Sequence, residues 1–550
     1  MVYCASRPII PMKPLLLFLT LCMLFSQSVL AFPGNEPAYA VHSGSYFSEF
    51  FTAKHPYLGS IDTSVSHTGP GMDDACPLEV VLEEFDEYLD GIAHRNLTPG
   101  MAVAIVHGND TVYTRCIGVK RVGYPDPIDE DTVFQIGSNS KPITGAVIAR
   151  LVDKSVIDWD ERVALYYPGF ALHDTYASEH LTFRDALSHR SGLPSHAGGE
   201  LMVPFCYEAP EILYRIRYLE PATEFRTRYE YQNVMYLLAG EAAARAAGKD
   251  WPELATEEIF LPLGMHSTSA RFVDFISAKN RAWNYWDNNG TFEEIDPLDY
   301  DAMSPAGGVS SSLRDMARWV RFQVNGGGME GEPLLSPGVF AETHALQTVI
   351  TSSDTYVSGY SLGWYYSFLD DGLILDHGGS ATSSTSYVMI MPNEKIGIVV
   401  LCNKGISHSL PMAVCYTFRE MYLHEAPRVD LYEAFRAAID PSFDEIQPLH
   451  SLPNPPEDAL APLPLRQYEG AYHSDYYGRI WVEQADDALH LYTGANPVPF
   501  NLSPWDGNTF REESSHTSVV FSVDEKGNAR AVLVGMLQFN MRNGTFVRVQ

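Results

Sequence analysis

DTVFQIGSNSKPITGAVIARL, residues 131–151, is the stretch that decides how this chain folds and what its chemistry is. An apolar, strand-like piece from Val133 to Ile136 meets Gly137, and a helical pattern follows. Ser138 falls at the turn where the helix begins. One helical turn separates it from Lys141, so the two side chains share a face and an amine can lie beside a hydroxyl. Pro142 fits this reading, because a first-turn N–H has no helical partner to lose. A serine hydroxyl is barely nucleophilic at neutral pH without an adjacent base, and the S-x-x-K spacing supplies one.

Alone the spacing decides little. Average residue usage produces it about once or twice in a chain of this length, and a capping serine followed by a surface lysine reads the same way. Two further elements follow in order. Tyr231-Gln232-Asn233 lies in FRTRYEYQNVMYLLAG (225–240), and His377-Gly378-Gly379 in LILDHGGSATSSTSYVMIMP (373–392). Together the three resemble the active-site triplet of serine β-lactamase-like proteins and penicillin-binding proteins. LTFRDALSHRSGLP (181–194), IFLPLGMHSTSA (259–270), MSPAGGVSSSLRDMARWVRF (303–322), YSLGWYY (360–366) and IGIVVLCN (396–403) look like that family's connecting segments. The resemblance covers about residues 80–425 and is nearest the class C β-lactamase, esterase and D-aminopeptidase branch. It implies an α/β (α+β) fold: an antiparallel sheet flanked by helices, with an all-helical lobe.

The resemblance also implies roles. Ser138 is the nucleophile, and Lys141 and Tyr231 act as a unit. Either can be the base: a desolvated lysine titrating near neutrality, or a tyrosine phenolate stabilised by the lysine. Asn233 would bind the substrate's amide and orient Lys141. Gly379 lets the strand approach the substrate closely, and the backbone N–H groups of Ser138 and Ser380 would form the oxyanion hole. One element departs from the family pattern. Most members carry Lys-Thr/Ser-Gly where this chain has His377-Gly378-Gly379. A mostly neutral imidazole and a bare glycine hold a substrate carboxylate weakly, and His377 would help only when protonated. His377 also reads as a structural histidine bonded to nearby backbone. His189 and His196, flanking Ser191-Gly192-Leu193-Pro194, fit no common zinc spacing and read as structural. Ser191 lacks the G-x-S-x-G setting of a hydrolase elbow.

These residues lead to an exported serine hydrolase with an acyl-enzyme on Ser138. Its small-molecule or peptide substrate is an ester or amide: a small ester, a D-amino-acid peptide or a peptide amide. No cofactor or metal is called for. The same site would also serve an acyltransferase, transpeptidase or peptide cyclase. A β-lactamase is disfavoured by His377-Gly378, and a non-catalytic penicillin-binding-like sensor by the intact Ser138, Lys141 and Tyr231.

The 550 residues, 45% of them hydrophobic, suffice for a large core and a smaller domain. MKPLLLFLTLCMLFSQSVLA (12–31) reads as a secretory signal peptide, too short for a spanning helix; Met12 is a plausible start within a 1–31 leader. A lipoprotein through Cys22 is weaker, because Leu21 precedes it. Export places the chain outside the cell or in a periplasm. Loss of residues 1–31 would remove Arg7 and Lys13 from 37 basic residues and none of the 69 acidic ones, leaving a net charge of −34. Nucleic acid and anionic membranes would repel such a chain. Five cysteines would remain (Cys76, Cys116, Cys206, Cys402, Cys415), none in a C-x-x-C or zinc-finger spacing; Cys116 and Cys402 read as buried thiols. Sequons occur at Asn96, Asn109, Asn289, Asn501 and Asn543.

Residues 32–76 read as a loose leader segment and 77–440 as the hydrolase domain. Residues 441–464 hold seven prolines, from Pro441 to Pro464, and read as a stiff linker. From 465 to 550 the text alternates at period two, as in ALHLYTG (488–494) and SVVFSVDEKGNARAVLVG (518–535), which suggests a small antiparallel β-barrel. Asp524-Glu-Lys-Gly527 and Arg542-Asn543-Gly544 read as tight turns. YEGAYHSDYYGRIWVE (468–483) resembles the opening of the lipocalin-like C-terminal domain found on many members of the family.

Overall fold

The computed structural model describes residues 77–439 and 451–549, apart from 289, 330, 331, 383, 406, 425, 426, 428 and 539–541. The expected signal peptide, leader segment and first part of the Pro-rich linker lie outside the described residues.

Helix α1 (Leu78–His94) buries Val81, Phe85, Leu89 and Ile92, one stripe at helical spacing. The chain then turns through Gly108 from β1 (Gly100–His107) into β2 (Asp110–Gly118). Six more strands complete the sheet much later: β3 (Thr348–Ser352), β4 (Val357–Tyr360), β5 (Tyr365–Leu369), β6 (Gly372–Ala381), β7 (Ser384–Met391) and β8 (Ile396–Cys402). The order is β2-β1-β8-β7-β6-β5-β4-β3, antiparallel throughout.

Both faces of the central strands are covered, which is why they read as unbroken apolar runs. Along β1, Ala102, Ala104 and Val106 join one core, and Met101, Val103 and Ile105 the other. The first core contains α2 (Ser140–Asp153), α3 (Asn233–Ala247) and α4 (Leu313–Val324); the second contains α1 and α5 (Ser409–Leu423).

A second unit closes on itself. Eight antiparallel strands, β9 (Gly470–Ser474), β10 (Gly478–Ala485), β11 (Ala488–Thr493), β12 (Phe500–Asp506), β13 (Thr509–Glu512), β14 (Ser518–Val523), β15 (Ala529–Val534) and β16 (Thr545–Arg548), form a barrel sealed by β9 against β16. Closure leaves no strand edge to pair with another chain. Its interior is filled by Tyr468, Tyr472, Ile480, Leu491, Phe510 and Phe521. The described part of the Pro-rich segment is not a free spacer. Leu452 N donates to His516 O (2.7 Å), Trp505 Nε1 to Pro453 O (3.0 Å) and Gly507 N to Leu460 O (2.9 Å). An extended, proline-rich strand keeps its carbonyls free, and barrel donors use them.

Candidate active site

The quoted stretch folds as a short strand (Val133–Gln135), one 3₁₀ turn (Gly137–Asn139) and then α2. In a 3₁₀ turn, residues three apart eclipse one another. Ser138 and Lys141 therefore meet, with Lys141 Nζ 3.1 Å from Ser138 Oγ. Between residues 132 and 149 every side chain is buried except Ser138, so over that stretch solvent reaches the chain only at the candidate nucleophile.

Glycine is required on both sides of the turn. Gly137 has φ +53, and a Cβ there would stand 2.6 Å from Ser380 N. A Cβ on Gly379 would stand 2.0 Å from Ile136 O. The turn and β6 thus pack backbone to backbone. Asn139 Nδ2 donates to Ser386 Oγ (2.7 Å), and Ser386 Oγ to Ile136 O (2.8 Å), which fixes the turn to β7.

Tyr231 arrives from the loop before α3 and donates its hydroxyl to Ser138 Oγ at 2.9 Å. Lys141 Nζ lies 4.7 Å from the Tyr231 ring centroid and donates to Ala306 O at 2.8 Å. That carbonyl is presented by the segment Ser304–Gly307, bound to α2 again where Thr144 Oγ1 donates to Pro305 O (2.6 Å). Among the described residues no hydrogen bond joins Asn233 to Lys141, and Ala306 O takes the orienting place that the sequence suggested for Asn233. Asn233 stands half-buried at the first residue of α3.

The neighbouring Gln232 is wholly buried. Its Nε2 donates to Leu193 O (2.8 Å) and Pro194 O (2.5 Å), and its backbone N–H to His189 Nδ1 (2.9 Å). The rings of His189 and His196 pack on Tyr231, at 4.5 and 5.1 Å between centroids. Behind them Asp185, fully buried, accepts from Arg190 Nε and Arg226 Nη2, each at 2.7 Å. The loops that carry His189 and Tyr231 are thereby tied to one carboxylate.

Burial sets the charge state. Lys141 is 0% exposed, and among the described residues it has no carboxylate within ion-pair distance. Desolvation pushes its amine well below the ordinary lysine value. Burial also pushes Tyr231 well above the ordinary phenol value, against the opposing bond to Ser138. Burial therefore disfavours both charged forms, the ammonium of Lys141 and the phenolate of Tyr231. Protonation of Lys141 at low pH would remove the base, so kcat/KM falls on the acid side. For a neutral ester the midpoint of that fall should lie at lower pH than an ordinary lysine would place it; a lysine titrating near its ordinary value of about 10.4 would give about a tenfold rise per pH unit from about pH 7.5 to 9.5, and a pH–rate profile distinguishes the two.

His377 corrects an expectation. Only 1% of it is exposed, and both ring nitrogens are engaged: Nδ1 donates to Gly378 O (2.7 Å), and Nε2 accepts from Tyr360 OH (3.0 Å). Burial pushes its pKa down to about 3. The imidazole is a neutral support of β6 and does not present a charge to a ligand. A Cβ at Gly378 would meet the His408 ring at 3.0 Å, so the threonine or serine usual in the family would press on that ring here.

Among the described residues, no cluster of three His, Cys, Asp or Glu side chains could hold a metal, and no helix is long and apolar enough to cross a membrane. Among the described residues Cys116, Cys402 and Cys415 are free thiols, with Cys402 and Cys415 buried.

A serine beside an amine and a phenol, on a turn packed against β6 and β7 of this sheet, is the arrangement of β-lactamases and penicillin-binding proteins. The family described as Beta-lactamase matches residues 85–412, and the chain is a member of it. A family described as a domain of unknown function, DUF3471, matches residues 454–547, over the barrel. The unguisins hydrolase ungD' of Aspergillus campestris is 26% identical over 448 residues, covering 76% of this chain and 80% of its own length. Penicillin-binding protein 4 of Amycolatopsis lactamdurans is 25% identical over 379 residues, covering 66% and 95%. The octameric penicillin-binding protein homologue from Pyrococcus abyssi aligns with a TM-score of 0.57 over 85% of this chain and 99% of its own. At 20% identity that last likeness speaks to fold alone.

Proposed function

We propose that this chain is a serine hydrolase that forms an acyl-enzyme on Ser138 and cleaves an uncharged ester or amide, such as a small ester, a D-amino-acid peptide or a peptide amide. The observation that carries the reading is Ser138 Oγ within hydrogen-bond reach of both Lys141 Nζ (3.1 Å) and Tyr231 OH (2.9 Å), at the only unburied position between residues 132 and 149. The Aspergillus relatives are named as hydrolases of unguisins, which supports hydrolysis over binding without turnover.

In the proposed cycle the Lys141 amine takes the Ser138 proton as Oγ attacks the carbonyl carbon. The carbonyl π pair moves onto oxygen, stabilised by the amides of Ser138 and Ser380. On collapse the bond to the leaving group breaks. Tyr231 protonates that group and recovers its proton from the Lys141 ammonium beneath its ring. Water then attacks the acyl carbon, with the same pair removing its proton, and Ser138 is restored. Substrate would lie between β6 and Asn233. We further propose export by the signal peptide, domain boundaries at 77–440 and 465–550, and a lipocalin-like relationship for the barrel.

Residues 377–380 present no charge at neutral pH, so a β-lactam carboxylate entering the cleft loses hydration that no strand cation restores. A neutral p-nitrophenyl ester is expected to exceed a penicillin in kcat/KM by about a hundredfold or more. With His377 neutral down to about pH 3, penicillin turnover should show no rise on acidification from about pH 8.5 to 5.5. Paired kcat/KM measurements across that range test both points, and a penicillin preference would restore the β-lactamase reading.

A further inference from the structure

The barrel grips the hydrolase domain at the segment that itself holds Tyr231. From that geometry we infer that Arg542 and Tyr476 of the barrel are positioning residues for the Tyr231 phenol. The inference rests on the acyl-enzyme reading above.

Arg542 Nε and Glu200 Oε1 form an ion pair at 2.7 Å, with both side chains 0% exposed. Tyr476 OH donates to the same Glu200 oxygen and accepts from Gly198 N (3.1 Å). Arg542 Nη2 also donates to Ser195 O (3.3 Å). Segment 195–200 is thus fixed by barrel side chains at three of its residues. The same segment fixes Tyr231: His196 N donates to Tyr231 O at 2.7 Å, Ser195 Oγ lies 3.4 Å from that oxygen, and the His196 ring packs on the phenol. A continuous path runs from the barrel, through one peptide unit, to the residue bonded to Ser138. Just downstream the barrel holds the chain again, with Ala495 N donating to Phe205 O (2.9 Å), Thr493 Oγ1 to Pro204 O (3.0 Å), and Tyr207 OH to Tyr477 O (3.0 Å). Arg542-Asn543-Gly544, which reads in the sequence as a turn, therefore places its arginine in the interface.

Holding two domains together does not by itself call for this arrangement. A buried ion pair contributes little net stability over an apolar pair of similar volume. What it adds is direction: a guanidinium has a fixed fork and reaches both a carboxylate and a carbonyl. Reactions at a serine tolerate little displacement of the groups around it.

The test measures, in the full chain, the second-order rate of Ser138 labelling by a fluorophosphonate, the final label per chain, and kcat and KM for a p-nitrophenyl ester. Arg542→Ala, Glu200→Gln and Tyr476→Phe each report on the grip, and Arg542→Lys is the conservative control. The double variant Glu200→Leu with Arg542→Leu removes the pair while keeping the interface apolar. We expect the double variant to melt near wild type and to take one label per chain. Its labelling rate and kcat should be at least tenfold lower, with KM within threefold. Arg542→Lys should recover part of the rate. A purely structural role would lower the labelled fraction and leave the rate of the remaining sites unchanged. If the double variant does not fold, Tyr476→Phe and Glu200→Gln carry the same comparison, since each removes one interaction and little volume. Variants that label at the wild-type rate, while wild type labels normally, overturn this inference alone. A wild-type chain that takes no label overturns the acyl-enzyme reading and this inference with it.

Discussion

Replacing Ser138 by Ala is expected to abolish fluorophosphonate labelling and to lower ester turnover by about 10⁴-fold or more. The melting temperature should stay within a few degrees of wild type. The substitution removes one hydroxyl at the only unburied position between residues 132 and 149, so it opens no cavity in the core. Lys141 keeps Ala306 O as a partner, and the Tyr231 hydroxyl faces the solvent-reachable side of the turn. The expected stability change is about 1 kcal/mol, the ordinary worth of a hydrogen bond. Intact-mass spectrometry after labelling, alongside thermal melting, reads both quantities. Near wild-type hydrolysis by a folded Ser138→Ala chain would eliminate the acyl-enzyme.

Lys141→Ala and Tyr231→Phe should each cost about 10²–10⁴-fold in kcat, and the double variant should be little slower than the worse single. The geometry gives the reason. Both groups contact one oxygen, Ser138 Oγ, and the lysine lies against the phenol ring. A proton taken by one is passed to the leaving group through the other, so removing either breaks the same relay. Independent losses that multiply in the double variant would show two separate contributions and no relay. Tyr231→Phe is the cleaner probe, since it removes only the hydroxyl, whereas Lys141→Ala also leaves Ala306 O unpartnered inside the core.

Much of this was legible in the chain. The run through Ser138 marks a strand, a turn and a helix because a glycine separates period-free apolar residues from a helical pattern. Phe85, Leu89 and their partners mark α1 because their spacing leaves one face apolar. The barrel is legible because alternate residues face its interior, as Leu489 and Leu491 do. Ser138, Lys141 and Tyr231 could be named because local spacing puts two of them on one face and the family's order of motifs supplies the third. Local spacing says nothing of burial, however. Whether Lys141 is an ammonium or a free amine depends on surroundings drawn from α2, α3 and the Ser304–Gly307 segment, and only their packing excludes water and counter-charge. His377 sits in a motif position that suggests contact with substrate, yet Tyr360, from a neighbouring part of the sheet, takes its free nitrogen and turns it into a support. Arg542 and Ser195 are 347 residues apart, and no periodicity in either region announces their contact. The sequence by itself determined the strands and helices and marked Ser138 as the candidate nucleophile, because those readings follow from neighbours within a few residues. The tertiary structure alone decided the burial of the pair, the hydrogen-bonded setting of His377 and the barrel's contacts to the segment that bonds Tyr231, because desolvation and long-range hydrogen bonds exist only once distant segments are packed together.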